Sequence, residues 1–242
     1  MSEFSLEELE KWDEKIEELA LKHGLDWFPI LYETCDYYEM IGNMAYHGMP
    51  THYGHWSFGK SFERTHQMYN AGREGLPYEL IINSDPSLAY LMEENPLYLQ
   101  VLIMCHCVGH SDFFKNNATF AHTRPEEIIL KMRNAKRFMD KLAEDPSIGI
   151  DRVERILDSA HSISLNVPRR YSRYVSQKEQ RAELVADIKS GKYADIDDYP
   201  NPSRVPINPE VNILEFLADC SPVLEDWERE LLLLVAEDAQ YF

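Results

Sequence analysis

The stretch from Leu97 to Asn117 constrains the fold of this chain most, because its apolar run is long enough for a helix of about six turns. Its side chains are apolar on almost every side, which is typical of a helix in the middle of a protein core. The stretch nevertheless carries two histidines, His106 and His110. We therefore expect a buried central helix over about residues 96–115, with both histidines held away from bulk water.

The spacing of His106 and His110 puts both imidazoles on one face of the helix. Two imidazoles so placed can bind one ion of the size of Zn²⁺. This spacing is common by chance, and a pair of hydrogen-bonded core histidines is the alternative. Burying neutral imidazoles without partners is costly, and a metal ion or a carboxylate offsets that cost. The sequence therefore leaves two interpretations open: a divalent metal cofactor, with zinc as the first candidate and His106 and His110 as ligands, or two hydrogen-bonded core histidines.

A general base is not evident beside these histidines. The helix of many zinc peptidases has Glu directly after the first His, but that position is Cys107 here. Four other residues are candidates for proton transfer: Glu33, expected in the first turn of a helix; Glu93 and Glu94, just before the central helix; and His161, one turn after an acid. The alternative for the three glutamates is a capping or solvated carboxylate, which the sequence favours for Glu94. The alternative for His161 is a buried polar pair.

The cysteines do not predict a disulfide framework, because no two of them form a Cys-x-x-Cys pair. Cys105 and Cys107 point about 200° apart on a helix, so they cannot jointly bind one ion. We interpret both as small core residues.

Charge excludes several classes of partner. The chain of 242 residues has a formal charge of −18, which repels phosphate backbones and anionic lipid surfaces. We expect no nucleic acid or membrane partner. The N-terminus is polar and acidic, and no apolar segment reaches the roughly 18 residues that span a bilayer. We therefore expect a cytoplasmic protein, with one domain over residues 1–242 and a surface excursion with a proline-rich connector over residues 166–209.

Hydrophobic periodicity predicts a mainly α (α+β) fold, for which a zincin-like arrangement is one candidate. A capping box at Ser5–Glu8 starts an amphipathic helix that ends near Gly24. The one convincing strand is Tyr78–Asn83, and its expected partner is the segment 55–62, within an aromatic loop expected to fold over the core. Further helices are predicted over residues 32–46, 61–72, 87–94, from 125, and over 150–163, 211–220 and 222–240.

Several motifs follow one another along the chain in an order that resembles the SpoVR (stage V sporulation protein R) family. They are Gly48-Met49-Pro50, His55-Trp56-Ser57-Phe58-Gly59-Lys60, Tyr78–Pro86, Ala89–Asn95, His106–Asn117 and Leu157–His161. The resemblance extends from Leu9 to Phe242. It implies a link to sporulation and to formation of the spore cortex.

The resemblance also bears on the site. Glu33, His55, Glu93 and His161 lie at positions that the family motifs share, which makes all four candidate catalytic residues. Family members are longer, and by analogy with zinc peptidases we expect the third metal ligand beyond Phe242, so that this chain is the N-terminal portion. The resulting hypothesis is a metal-dependent hydrolase acting on amide or peptide bonds. The alternative is a non-catalytic scaffolding or interaction protein of sporulation or stress response, with protein partners and a buried histidine network.

Overall fold

A computed structural model describes residues 4–121, 123–168, 177–192 and 212–241. The chain divides into two units, Met1–Glu144 and Asp145–Phe242, which are described separately. The expectation of a single domain over residues 1–242 stays a prediction.

The first unit consists of helices around a small sheet. Its elements are α1 (Leu6–Lys22), β1 (Ile30–Cys35), α2 (Tyr37–Ala45), α3 (Trp56–Asn70), β2 (Glu79–Ile82), β3 (Ser87–Met92), α4 (Leu97–Asn116) and α5 (Ile128–Glu144). The second unit contains α6 (Ile150–Ile163), a 3-10 helix (Ser164–Asn166), α7 (Gln177–Lys189), α8 (Ile213–Cys220) and α9 (Asp226–Tyr241). The predicted mainly α fold with a small β element is confirmed.

The sheet has the strand order β1-β3-β2, with β3 parallel to β1 and antiparallel to β2. The prediction of a helix over residues 87–94 is wrong, because this segment forms the central strand β3. Four of its six residues in succession, Ala89–Met92, are buried. The sequence of a strand covered on both faces is a continuous apolar run. Hydrophobic periodicity cannot distinguish such a run from a short buried helix.

Two further expectations about the sheet are wrong. Residues 32–46 do not form one helix, because Asp36 caps a new helix by accepting hydrogen bonds from the N–H groups of Tyr38 and Glu39, and the residues before it form β1. The segment 55–62 is not a strand but the start of α3, with His55 as N-cap. The partner of β2 is instead β3.

The central helix α4 lies where the sequence predicts it, but it is buried on one side only. Ile103, Met104, Cys107 and Val108 pack in one core cluster with Leu91 of β3. This cluster also includes Leu9, Ile16 and Ala20 of α1, whose predicted capping box is present. The opposite side of α4 is open to solvent, with Tyr98 78% and Leu102 65% exposed. Cys105 is also exposed, so its interpretation as a core residue is wrong, whereas that of Cys107 is confirmed.

The other face of the sheet is covered by the aromatic loop after α2. The Tyr90 hydroxyl donates a hydrogen bond to the Gly48 carbonyl over 3.0 Å. Gly48 has φ +72° and lies against Ile82, where a Cβ atom would collide. His52, Tyr53, His55 and Phe58 are buried, which confirms that this loop folds over the core.

In the second unit, α9 packs against α6 and α8. Arg152 of α6 forms an ion pair of 2.7 Å with Glu225, which precedes α9. The bounds predicted for α6 are confirmed. Of the predicted surface excursion, α7 is helical, while most of the proline-rich connector lies outside the described residues. Among the helices that the structure describes, none is long and apolar enough to cross a membrane.

The carboxyl group of Asp13 on α1 makes stability depend on pH. Burial raises the pKa of Asp13 from 3.8 to about 6, and repulsion from Glu17 and Glu14 adds to this rise. The folded state therefore holds the Asp13 proton more tightly than the unfolded state does. Ionising this carboxyl costs folding free energy, and the cost grows as the pH rises from 3.8 and is complete above about 6.

We predict that Asp13→Asn stabilises the chain at pH 7.5 by about 1 kcal/mol, a figure reduced for the partial solvent exposure of the carboxyl. The gain should fade as the pH falls from 6 towards 4. Urea unfolding at several pH values measures it, with Glu18→Gln, an exposed acid on the same helix, as control. A gain that is the same at pH 4 and pH 7.5 would contradict this assignment.

Candidate metal centre

Two imidazoles and one carboxylate converge beside the sheet. His106 and His110 stand one turn apart on α4, and their Nε2 atoms are 2.9 Å from each other. The His106 Nε2 atom lies 3.5 Å from Oε1 of Glu79, the first residue of β2. One potential ligand atom from each of the three residues lies within 4.8 Å of the other two. The described part of the first unit thus offers three potential metal ligands of two types at one point.

The register of the sheet places Glu79 in this cluster. Glu79 pairs with Leu91 across the β2–β3 ladder, so their side chains lie on the same face. Leu91 packs in the core cluster with α4 residues, which identifies this face as the one beneath α4. A carboxylate at the start of β2 therefore projects towards the helix that carries the histidines.

The cluster is open to solvent. The side chain of His106 is 58% exposed, and that of Glu79 is 19% exposed. The expectation that both histidines lie away from bulk water is therefore wrong for His106. The reason is that α4 buries the side bearing Met104 and Cys107 and leaves the side bearing His106 uncovered.

His110 is the more enclosed of the two histidines. Partial burial lowers its pKa, proximity to His106 lowers it further, and the Glu79 carboxylate opposes the change. Imidazole binds a metal ion in its neutral form. A lowered pKa favours that form at neutral pH.

The donor set fits a divalent ion such as Zn²⁺. Ligand atoms at about 2.0–2.1 Å from a tetrahedral ion are about 3.3 Å apart, which is close to the two measured separations in the cluster. Two imidazoles and one carboxylate are a ligand set of catalytic zinc sites, in which the fourth position holds water or substrate. The solvent-open side of His106 provides room for such a fourth ligand.

The other predicted site residues are not part of this cluster. Glu33 belongs to β1 rather than to a helix start, and it pairs with Tyr90, whose hydroxyl reaches Gly48 on the far face of the sheet. Alternation thus puts Glu33 on the face opposite Glu79. His161 lies on α6 of the second unit.

His55 and Glu93 occupy different settings. His55 is 8% exposed and caps α3, with its Nδ1 atom 2.7 Å from the Ser57 hydroxyl. Glu93 is exposed and follows β3 directly, two residues after Leu91, the strand partner of Glu79. The register thus puts Glu93 at the same end of the sheet as Glu79. Glu33, which pairs with Tyr90, lies close to that end too, but on the opposite face.

Sequence reasoning did not identify Glu79. The third ligand expected beyond Phe242 stays a prediction, and the structure adds the Glu79 carboxylate as a candidate within the chain. A signal is present in the sequence, because the strand that contains Glu79 is predicted over Tyr78–Asn83. Glu79 is the acid at the start of that strand.

Comparison with known proteins places this chain in a family. The family model described as "SpoVR like protein" matches residues 3–242. The chain belongs to the SpoVR family. This confirms the resemblance of its motifs and links the chain to sporulation-related proteins. No solved structure matches the SpoVR chain significantly.

A curated relative of this SpoVR chain comes from Escherichia coli (strain K12) and carries the name "Uncharacterized protein YcgB". The two are 36% identical over 244 residues, which cover 94% of this chain and 48% of the relative. The chain thus spans about half the length of the curated relative that it matches.

We predict that the metal-stripped chain binds about one Zn²⁺ per molecule and that His106→Ala weakens this binding more than about tenfold. Isothermal titration calorimetry measures the affinity. The metal-free variant should melt at the temperature of the wild-type chain, because the lost imidazole is mostly exposed.

His23→Ala, which removes an exposed histidine after α1, controls for adventitious binding and should leave the zinc affinity unchanged. Equal zinc binding by the His106→Ala variant and the wild-type chain would exclude the cluster as the site.

Proposed function

We propose that this chain carries the metal centre of a divalent-metal-dependent hydrolase that cleaves amide or peptide bonds. The observation that carries this proposal is the convergence of His106, His110 and Glu79 at a solvent-open point. Imidazole and carboxylate groups are both common zinc ligands in proteins. Three protein ligands leave the fourth coordination position of the ion for water or substrate. Family membership supports a sporulation-related role, for which spore cortex formation is the proposed setting. The cytoplasmic location and possible protein partners stay predictions.

The roles of the chain's own residues follow from their positions. His106 and His110 are held in register by the α4 backbone, and Glu79 is held by the β2–β3 ladder. Rigid elements hold ligands with little freedom, which favours a defined coordination geometry. A bound zinc ion would polarise the substrate carbonyl and make its water a better nucleophile.

We propose Glu93 as the group that moves the proton. A carboxylate in this role takes a proton from the attacking water, whose oxygen bonds to the carbonyl carbon, and returns it to the nitrogen as the C–N bond breaks. Glu93 is exposed, and it follows the strand that pairs with β2. Glu33 suits this role less well, because it lies on the opposite face of the sheet.

The non-catalytic alternative depends on a buried histidine network. A contact of 2.9 Å between His106 and His110 is present, but the 58% exposure of His106 removes the shielding that would make such a network valuable to stability. The exposed pair therefore favours a binding role over a core role. Retained stability of His106→Ala would separate the two functions.

We predict that Glu93→Gln lowers zinc-dependent hydrolysis of fluorescein-labelled casein by about 100-fold, as expected for loss of a proton-transfer group. Its zinc affinity should stay at the wild-type value. Glu94→Gln is the matched control, because Glu94 is an exposed carboxylate next to Glu93, and it should cleave casein at the wild-type rate.

Zinc-loaded wild-type protein that fails to cleave casein and other amide substrates would favour the scaffolding function. Full activity of Glu93→Gln would exclude Glu93 from the mechanism.

A further inference from the structure

The candidate metal centre lies at an open edge of the sheet. In the strand order β1-β3-β2, and within the part of the chain that the structure describes, the strand that carries Glu79 has a neighbour on one side only. Edge strands present backbone groups that a further strand can pair with. Which backbone groups β2 presents follows from its hydrogen bonds with β3.

The backbone groups of Glu79 and Ile81 are the ones that β2 leaves free of hydrogen bonds to β3. The Met92 N–H donates to the Tyr78 carbonyl over 3.2 Å, which makes these two residues a hydrogen-bonded pair. Such pairs alternate along an antiparallel ladder, so Leu80 bonds to Tyr90. The N–H and C=O groups of Glu79 and Ile81 therefore point away from β3.

Glu79 thus takes part in two surfaces at once. Its carboxylate points towards α4 and the two imidazoles, while its backbone lies at the open edge. A strand added to this edge would run about 4.8 Å from β2. It would pass directly beside the ligand cluster.

The exposed side of α4 supplies a second observation. Leu102 lies one turn before His106 and is 65% exposed, and Phe113 lies two turns after it and is 52% exposed. Apolar side chains so exposed on both sides of a polar cluster offer contacts to apolar groups of a ligand. Alternate side chains of an added strand point to the α4 side of the sheet.

We infer that the open edge of β2 binds an extended polypeptide segment as a fourth strand, with alternate apolar side chains of that segment against α4. This inference rests on the proposed function and names its substrate class. Backbone pairing requires peptide N–H and C=O groups at strand spacing, which a polypeptide provides and a saccharide does not. Backbone hydrogen bonds to β2 would provide the affinity for the segment. The exposed apolar side chains of α4 would provide a preference for apolar residues in it.

The probe for the test is the oxidised B chain of insulin, labelled with fluorescein and followed by anisotropy in EDTA, so that no zinc-dependent cleavage occurs. Ile81→Pro should weaken its binding more than about tenfold. Proline deletes the outward N–H of Ile81 and leaves the hydrogen bonds to β3 in place, and edge strands accept it there. Ile81→Val keeps that N–H and should bind as the wild type does.

A second measurement needs no variant. A short apolar peptide should bind the wild-type chain more than about tenfold better than the same peptide with alternate amides N-methylated, because methylation removes donors to the edge. Equal binding of the two peptides, or wild-type binding by folded Ile81→Pro, would overturn the inference. Self-association of the wild type that Ile81→Pro abolishes, seen by analytical ultracentrifugation, would assign the edge to a second copy and also overturn it.

The failure of this inference can be distinguished from failure of the metal centre. Zinc titration tests His106, His110 and Glu79 without the peptide, and anisotropy in EDTA tests the edge without zinc. Zinc binding with no peptide binding would reject the edge alone. Peptide binding with no zinc site would reject the metal centre alone.

Discussion

The packing of one side of α4 onto one face of the sheet determines the rest of the candidate site. Met104 and Val108 are almost fully buried against that face, together with Leu91 of the central strand. Burying this side of α4 fixes the rotation of the helix about its axis. A side chain two residues further along a helix points in roughly the opposite direction. His106 is turned to solvent as a result, and it stays next to the edge strand that holds Glu79. The core contact and the exposed cluster are therefore two consequences of one helix orientation.

The register of the sheet determines on which face each glutamate side chain lies. Glu79 and Glu33 both lie on edge strands, but the pairing with Leu91 puts Glu79 under α4, and the pairing with Tyr90 puts Glu33 on the other face. A shift of one residue in either strand would exchange these positions. Register, rather than the mere presence of carboxylates near the sheet, decides which acid joins the histidines. The same register turns the backbone of Glu79 outward at the open edge.

The sequence predicts the elements whose signals are local. The capping box of α1, the length of α4 and the bounds of α6 all depend on neighbouring residues, and all three are confirmed. Strand β3 was mistaken for a helix because a strand buried on both faces has no alternation to detect. The exposure of His106 was missed because the solvent side of α4 is itself apolar. Glu79 could not be assigned from spacing, since its contact with His106 joins two elements far apart in the chain.

X-ray absorption spectroscopy of the zinc-loaded chain tests the metal centre most directly. The geometry predicts two imidazole nitrogens and at least one carboxylate oxygen at about 2.0–2.2 Å from the ion, with no sulfur. Glu79→Gln and His106→Ala should each alter this spectrum. A zinc–sulfur distance of about 2.3 Å, or a spectrum without imidazole scattering, would contradict a centre built from His106, His110 and Glu79.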